Sequence, residues 1–243
     1  DNPTWHPDGL NGKPVVRFDG GDLVWTTKDF GYTKEYTILT VARYTGGDNE
    51  RVISSRGTNW LFGFHGNRIR RFYANGWIYN VGGSDTSWHI HGGAIRKDAK
   101  ADFWLDLNQL ASNKTGASTT AYSPGVIQLG GYNDSNELSK CEVAEVLFYE
   151  RSLTQLEMES VQIGLNSKYG LGFGTGAVVQ DVDVNTPGIY TVIYSSSDAA
   201  GNSSRLTRKV VVKDGTTLPV ISLLGDEVMT IEAGAGFTDA GAM

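Results

Sequence analysis

Residues 141–171 read CEVAEVLFYERSLTQLEMESVQIGLNSKYGL and carry the strongest local structural signals in the chain. The first part, residues 142–149, is rich in β-branched and aromatic side chains, which predicts a strand buried on both faces. Strict alternation assigns its apolar side chains to two faces, Val143, Leu147 and Tyr149 on one and Ala144, Val146 and Phe148 on the other. We therefore expect the rest of the fold to be built around this strand.

A short helix follows this strand. Thr154 and Glu157 form a capping box, in which the Thr154 hydroxyl accepts from the Glu157 N–H and the Glu157 carboxylate accepts from the N-cap amide. Leu153 and Met158 are placed for a hydrophobic staple, and Gly170 suits the left-handed position that ends a helix. The apolar stripe of the helix is predicted to consist of Met158, Val161, Leu165 and Tyr169. No other segment has a convincing helical pattern, so we expect this helix to cover a β-structure.

The composition is typical of a folded β protein. The chain has 243 residues, of which 31 are Gly, with 11% aromatic and 20% charged residues, and this suits strands and turns. A net charge of −6 argues against nucleic acid as a partner, because an acidic surface opposes phosphate binding. The single cysteine, Cys141, excludes an internal disulfide framework, and no apolar run has the length of a membrane span. The chain begins at Asp1 without a signal peptide, so we expect a mature start or an excised piece.

Before the helix, short apolar segments alternate with turn residues. They predict strands at 15–18, 22–25, 36–44, 51–55, 60–65, 69–73, 77–81, 88–95, 102–107 and 126–129. This many strands before one helix predict a two-sheet sandwich. The dipeptide Asn75-Gly76 predicts a hairpin with a type I′ turn, and residues 115–124 are expected to form a surface loop.

The composition changes after Leu171. Residues 172–178 are mostly small and resemble a linker, and no Trp occurs beyond them. Strand and turn patterns of a different kind follow. We therefore predict a first domain at 1–171, a linker at 172–178 and a second β region at 179–243.

Three stretches of the first domain are similar to one known family. They are NGKPVVRFDG at 11–20, YANGW at 73–77, and VAEVLFYERSL at 143–153 with the helix and the KYGL that ends it. Together they resemble the laminin G-like, concanavalin A-like jelly-roll domains of bacterial secreted and surface proteins. The resemblance covers roughly residues 1–171 and implies an all-β, two-sheet jelly-roll sandwich with one short C-terminal helix. It implies little about the ligand, because members of this family differ widely in function.

The second region contains PGIYTV at 187–192, DAAGN at 198–202 and RKVVV at 208–212. These motifs resemble the immunoglobulin-like repeats that occur in tandem in bacterial surface proteins. Residues 179–214 match the second half of such a repeat and residues 218–243 match a first half. The region is therefore expected to be a partial immunoglobulin-like β-sandwich, either two partial repeats cut from a longer array or two halves that pair as a permuted sandwich.

The acidic residues give little support for catalysis. Sugar hydrolysis needs two carboxylates that flank one bond, and hydrolases of this fold resemble one another in a Glu-x-Asp-x-x-Glu strand that this chain lacks. Glu142, Glu145 and Glu150 are predicted to point alternately to opposite faces, and Asp102 with Asp106 has no third acid in register. We expect no catalysis, with glycoside hydrolysis as the weakest alternative.

His89 and His91 share one face of a predicted strand. A His-x-His pair can hold a transition metal, but such a site needs further ligands that the sequence does not place. We interpret both residues as polar positions on a half-exposed strand beside Trp88.

Asp19 and Glu145 are the candidate metal ligands. Glu145 lies on the strand expected to be buried, where an unpaired carboxylate is costly, so it requires a partner. Arg17, another basic side chain or backbone donors would satisfy it. Calcium is the alternative, because domains of the resembled family often carry a structural calcium and Asp19 lies in a Gly-rich turn.

Aromatic residues favour carbohydrate binding. Alternation does not place every Trp in the core, and Trp77 directly follows a hairpin turn, where side chains often face solvent or a groove. A ring beside polar loops can stack on a sugar while the loops bind its hydroxyl groups. The predicted ligand-binding residues are Trp77 and Tyr79 from the hairpin with Tyr132, Asn133 and Asp134 from a polar loop.

These observations predict a lectin-like module that binds a polysaccharide or other glycan. An acidic protein suits neutral glycans better than anionic ones. We expect a monomeric module of a larger multidomain chain, secreted or on the cell surface, without insertion into the membrane. The alternative is a structural adhesin or spacer segment that binds no glycan.

Overall fold

The computed structural model describes residues 2–31, 33–114, 123–173, 182, 185–197 and 203–213. The chain divides into two compact units, Asp1–Gly176 with Ser197–Ser203, and Ala177–Ser196 with Ser204–Met243. Most of the predicted 115–124 loop and all of residues 214–243 lie outside the described residues. The predicted domain boundaries stay a prediction.

The first unit is a sandwich of two antiparallel sheets, with strands numbered in chain order. The seven-stranded sheet has the spatial order β1 (Thr4–Leu10), β2 (Lys13–Asp19), β13 (Lys140–Tyr149), β4 (Tyr36–Tyr44), β9 (His89–Ile95), β10 (Ala101–Leu105) and β11 (Asn108–Lys114). The six-stranded sheet has the order β3 (Val24–Asp29), β12 (Val126–Leu129), β5 (Ile53–Arg56), β6 (Trp60–Gly63), β7 (Arg71–Ala74) and β8 (Trp77–Asn80). This confirms the predicted two-sheet sandwich.

The main core lies between the two sheets. Its largest fully buried side chains are aromatic, and the Trp60 indole donates a hydrogen bond to the Tyr36 hydroxyl at 2.8 Å. Gly93 on β9 makes room for this packing, because a Cβ at that position would lie 2.5 Å from the Phe62 ring. Burial of these rings supplies most of the driving force for joining the sheets.

The helix α1 (Gln155–Tyr169) covers the outer face of the seven-stranded sheet, as predicted. The capping box of Thr154 and Glu157 is present, and Gly170 has φ 58° at the C-terminal end. Leu153 and Met158 both lie in a second apolar cluster between the helix and the sheet. The helix therefore begins and ends where local sequence signals placed it.

The strand before the helix differs from the prediction. A bulge at Ala144 pairs Val143 with Ala42 but Glu145 with Val41. Val143 consequently faces the inner core with Val146 and Phe148, while Ala144, Leu147 and Tyr149 pack toward the helix. The predicted grouping of Val143 with Leu147 and Tyr149 is wrong because strict alternation does not continue through a bulge.

Two strands at the edges of the larger sheet were absent from the prediction. β1 contains Pro7 and is mostly exposed, and β11 is largely polar. An edge strand buries little apolar surface, so its sequence carries a weak periodic signal. In the second unit, β14 (Gly188–Ser197) and β15 (Ser203–Val212) form a two-stranded sheet.

Candidate functional site

One lateral row of side chains crosses the entire outer face of the six-stranded sheet. Strand pairing aligns one residue from each strand, in the order Trp25, Gln128, Ser54, Leu61, Tyr73 and Trp77. Trp25 and Trp77 are 49% and 41% exposed, whereas Gln128, Ser54 and Leu61 in the middle are buried. The row thus presents an accessible indole at each edge of the same sheet face.

Trp77 lies next to one aromatic and one cationic side chain. Its ring packs edge-on against Tyr73 with centroids 5.1 Å apart, and the Arg71 guanidinium carbon lies 5.4 Å from the ring centroid. Burial, and then the charge of Arg68, lower the pKa of the Arg71 guanidinium. A poorly hydrated cation near an indole strengthens the cation–π contact, which holds the ring in place.

The predicted hairpin turn before Trp77 is present, but it is not the predicted type. Asn75 and Gly76 both have positive φ values, of 55° and 150°. Trp77 pairs with Tyr73 rather than Ala74, so the connection is one residue longer than a two-residue type I′ turn.

The loop at 130–139, between β12 and β13, covers the middle of the row. Ser54 Oγ donates to the Gly131 carbonyl, and Gln128 Nε2 donates to the Asn133 carbonyl at 2.7 Å. The Arg51 guanidinium carbon lies 4.1 Å from the centroid of the Tyr132 ring. These contacts fix the base of the loop, while its tip at 134–136 is exposed.

The same loop contacts the surroundings of both exposed indoles. At one end Asp134 pairs with Arg56 at 2.7 Å, and the Arg56 guanidinium carbon lies 4.0 Å from the Trp25 ring centroid. At the other end Glu137 lies 3.3 Å from His65 Nε2, and the His65 ring lies 6.3 Å from the Trp77 ring. The loop is therefore held between two aromatic positions.

The structure separates Tyr79 from Trp77, although both were predicted to form one site. Trp77 lies opposite Tyr73 on the outer face, whereas Tyr79 lies opposite Phe72, whose side chain is in the core. The Tyr79 ring stacks on Phe103 of the larger sheet with centroids 5.3 Å apart. A register shift between these two pairs turns Tyr79 inward, so it does not extend the Trp77 surface.

Two of the predicted loop residues contact the end of β5, next to the arginine that packs on Trp25. Asn133 Oδ1 accepts from the Gly57 N–H at 2.9 Å, at the end of β5, and Asp134 reaches Arg56 on the same strand. Tyr132 packs on Arg51 in the covered part of the row. Sequence reasoning missed Trp25 as a binding residue, since its only signal was its place at the end of the predicted 22–25 strand.

Asp19 and Glu145 do not share a site. Asp19 lies opposite Lys140 on β13, five residues before Glu145, and this corresponds to about 16 Å along a strand. Asp19 accepts from the Gly21 N–H at 3.0 Å, and Glu145 accepts from Lys168 Nζ at 2.7 Å. Among the described residues no group of three or more His, Cys, Asp or Glu side chains is arranged to hold a metal ion. Calcium itself stays a prediction.

The partner of Glu145 is thus Lys168, and Arg17 binds a different carboxylate. The fully buried Glu142 is held between Arg17 Nε at 2.6 Å and Arg43 Nε at 2.7 Å. Glu142 and Glu145 both lie on the helix side of the sheet, which corrects the prediction that they face opposite ways, since the bulge at Ala144 lies between them.

The remaining acidic candidates also have cationic partners. Glu150 pairs with Lys28 at 2.7 Å, and Asp102 pairs with Arg96 and accepts from the Asn113 N–H at 2.7 Å. Glu150 and Asp102 are therefore both engaged in ion pairs.

His89 and His91 are buried rather than half-exposed, which corrects the prediction from sequence. His89 is held at both ring nitrogens, by Asp106 at 2.7 Å and Asp85 at 2.8 Å. Burial opposes its charged form, but the hydrogen bonds and charges of Asp106 and Asp85 outweigh burial and raise the pKa of His89. The ring therefore has no free nitrogen for a metal.

His91 has the opposite electrostatic character. Burial, and then the charge of His89, lower the pKa of His91 to about 4. Its Nε2 lies 2.7 Å from the Ile69 carbonyl, so the neutral ring donates this hydrogen bond. The two carboxylates thus favour the protonated form of His89, whereas burial favours the neutral form of His91.

One family model matches a short part of the chain. Residues 177–212 match the family model described as a bacterial surface protein, Ig-like domain. No curated protein matches the chain. None of the helices among the described residues is long and apolar enough to cross a membrane.

Solved structures of similar fold include the Trypanosoma rangeli sialidase in complex with sialic acid. It shares 14% identity with a TM-score of 0.51 over 72% of this chain and 30% of the sialidase chain. The binding domain of Paraclostridial Mosquitocidal Protein 1 shares 12% identity with a TM-score of 0.48, over 99% of this chain and 66% of that chain. This chain thus spans less than a third of the sialidase, and the sialidase likeness shows the fold alone.

Proposed function

We propose that the first unit is a non-catalytic carbohydrate-binding module that binds a neutral polysaccharide at Trp77. The observation that carries this proposal is the 41% exposure of a large indole on a sheet face, held by Tyr73 and Arg71. A ring that is fixed before binding loses little side-chain entropy when a sugar stacks on it. Glu137 of the 130–139 loop lies 3.3 Å from His65 Nε2, and the His65 ring lies 6.3 Å from the Trp77 ring, so polar groups near the indole would form hydrogen bonds to hydroxyl groups.

The resemblance of residues 1–171 to laminin G-like and concanavalin A-like domains agrees with a sandwich module but does not choose its ligand. The Ig-like match at 177–212 supports a place on the bacterial cell surface or outside the cell. In such a protein the module would hold the parent chain against a glycan, while the Ig-like region separates it from the next domain.

The Ig-like match also favours a second candidate, a spacer segment that binds no glycan. The two functions differ in a direct measurement. Affinity gel electrophoresis through laminarin, xylan, galactomannan, arabinan or starch retards a glycan-binding module and leaves a spacer unretarded.

Trp77→Ala tests the site, with Trp5→Ala as a matched control. Trp5 lies on β1 of the other sheet and is 66% exposed, so its removal deletes an indole of the same kind elsewhere. Trp77→Ala should fold and lose about 1–2 kcal/mol of binding free energy, whereas Trp5→Ala should migrate like the wild type. Equal retardation of the two variants would contradict the proposed site.

A further inference from the structure

Trp25 is the second exposed indole on the face that carries Trp77, and it was not among the ligand-binding residues predicted from sequence. The two residues end the same lateral row on opposite edge strands, β3 and β8. They are five interstrand spacings of about 4.8 Å apart, which gives a separation of about 24 Å. Both therefore lie on the same face of the sheet, at a separation that a small sugar does not span.

Trp25 is held in a manner that parallels Trp77. The Arg56 guanidinium lies over its ring at 4.0 Å, and Asp134 fixes that guanidinium at 2.7 Å. A cation packed on the indole restricts its rotation, so this ring too is placed before any ligand arrives. The side chain remains 49% exposed in this arrangement.

The region between the two indoles is polar and well anchored. The base of the 130–139 loop is closed by backbone hydrogen bonds between Tyr132 and Asn136, at 2.7 and 3.0 Å, and between Ser139 and Gly130 at 2.9 Å. Its exposed tip at 134–136 presents carboxylate, hydroxyl and amide groups. A chain of sugars lying along the row would stack at both ends and form hydrogen bonds in the middle.

We infer that Trp25 is a second sugar-binding position and that the ligand is an extended internal stretch of a polysaccharide that contacts Trp25 and Trp77 together. This inference rests on the proposed function. Once one indole is occupied, the other binds the same chain at a raised effective concentration, so affinity increases with chain length. A ligand confined to a terminal sugar would use one position only.

The test uses the full chain and the polysaccharide that retards it most among laminarin, xylan, galactomannan, arabinan and starch. Isothermal titration compares that polymer with its own disaccharide and trisaccharide fragments, for the wild type, Trp25→Ala, Trp77→Ala and the control Trp5→Ala. Each of the first two variants should weaken polymer binding by about tenfold, toward the level of the fragments, and Trp5→Ala should have no effect. Trp25→Phe should recover part of the loss, because it restores a stacking ring.

The outcomes separate this inference from the proposed function. If Trp77→Ala abolishes binding while Trp25→Ala binds like Trp5→Ala, the second position is refuted and the function stands. The same conclusion follows if the fragments bind the wild type as tightly as the polymer. If none of the five polysaccharides retards the wild type, or if only Trp25→Ala weakens binding, the proposed site at Trp77 fails and the two-position inference fails with it.

Discussion

The ion cluster around Glu142 gives a quantitative test of how the larger sheet is held together. Glu142 on β13 is fully buried, while its partners Arg17 on β2 and Arg43 on β4 have side chains that are 45% and 31% exposed. The Arg43 guanidinium also lies 5.0 Å from the Trp88 ring centroid. The cluster therefore joins three adjacent strands through one carboxylate that has no access to water.

The double variant Arg17→Met with Arg43→Met leaves this carboxylate buried without a cation. Breaking a buried ion pair by removing one side costs about 3–5 kcal/mol, so the free energy of unfolding should fall by that amount. Adding Glu142→Leu should recover most of the loss, because replacing a whole buried ion cluster by apolar side chains is often neutral or stabilising. The recovery distinguishes loss of charge pairing from loss of packing.

Urea unfolding of the full chain, followed by tryptophan fluorescence, measures these differences. The exposed pair of Lys28 and Glu150 supplies the control, and Lys28→Met should cost no more than about 1 kcal/mol. A triple variant as unstable as the double variant would show that the buried carboxylate is not the source of the loss.

Three further results are expected. Gly93→Ala should destabilise the folded protein by about 1–3 kcal/mol, because the new Cβ would lie 2.5 Å from the Phe62 ring. Gly164→Ala, on the exposed side of α1 with open space around it, should stabilise the protein by about 0.5–1 kcal/mol. Thermal unfolding of both variants measures the contrast. The pKa of His91 is lowered from 6.5 to about 4, so the stability that comes from its neutral ring is fully present above pH 6.5 and is progressively lost as the pH falls to about 4. The Tm of His91→Gln should therefore fall less steeply with acid than the Tm of the wild type. Parallel slopes would contradict this. If the chain binds calcium, saturation should raise its Tm and a chelator should reverse the rise, and an unchanged Tm would end that prediction.

Local signals predicted where the helix begins and ends, but its predicted apolar stripe omitted the buried Gln162 and Ile163. The caps at Thr154 and Gly170 and the staple of Leu153 with Met158 depend on residues within a few positions of one another, and the structure contains all of them. Strand existence was also predictable where both faces or one face are buried, as at 36–44 and 126–129, whose bounds agree with β4 and β12. The polar edge strand β11 lacked that signal.

Bulges explain most of the errors in the candidate site. A two-residue spacing predicts that Trp77 and Tyr79 share a face, yet their partners Tyr73 and Phe72 are neighbours and must point to opposite faces. Glu145 is displaced in the same way by the bulge at Ala144. A bulge leaves little local trace in one sequence, because its extra residue is defined by the partner strand.

The same dependence on pairing explains why the sequence suggested Trp77 as a binding residue and did not suggest Trp25. Trp77 stands next to Asn75-Gly76, a signal within its own hairpin, so its exposure follows from local sequence. Trp25 becomes part of a surface only through the pairing of β3 with β12 and of β12 with β5, which joins segments about a hundred residues apart. A binding face assembled from one residue per strand has no motif along the chain. Its residues become recognisable as a set only when the register of all six strands is known. Substitutions at Trp25 and Trp77 that both weaken binding of one polysaccharide would therefore support the strand register as well as the proposed function.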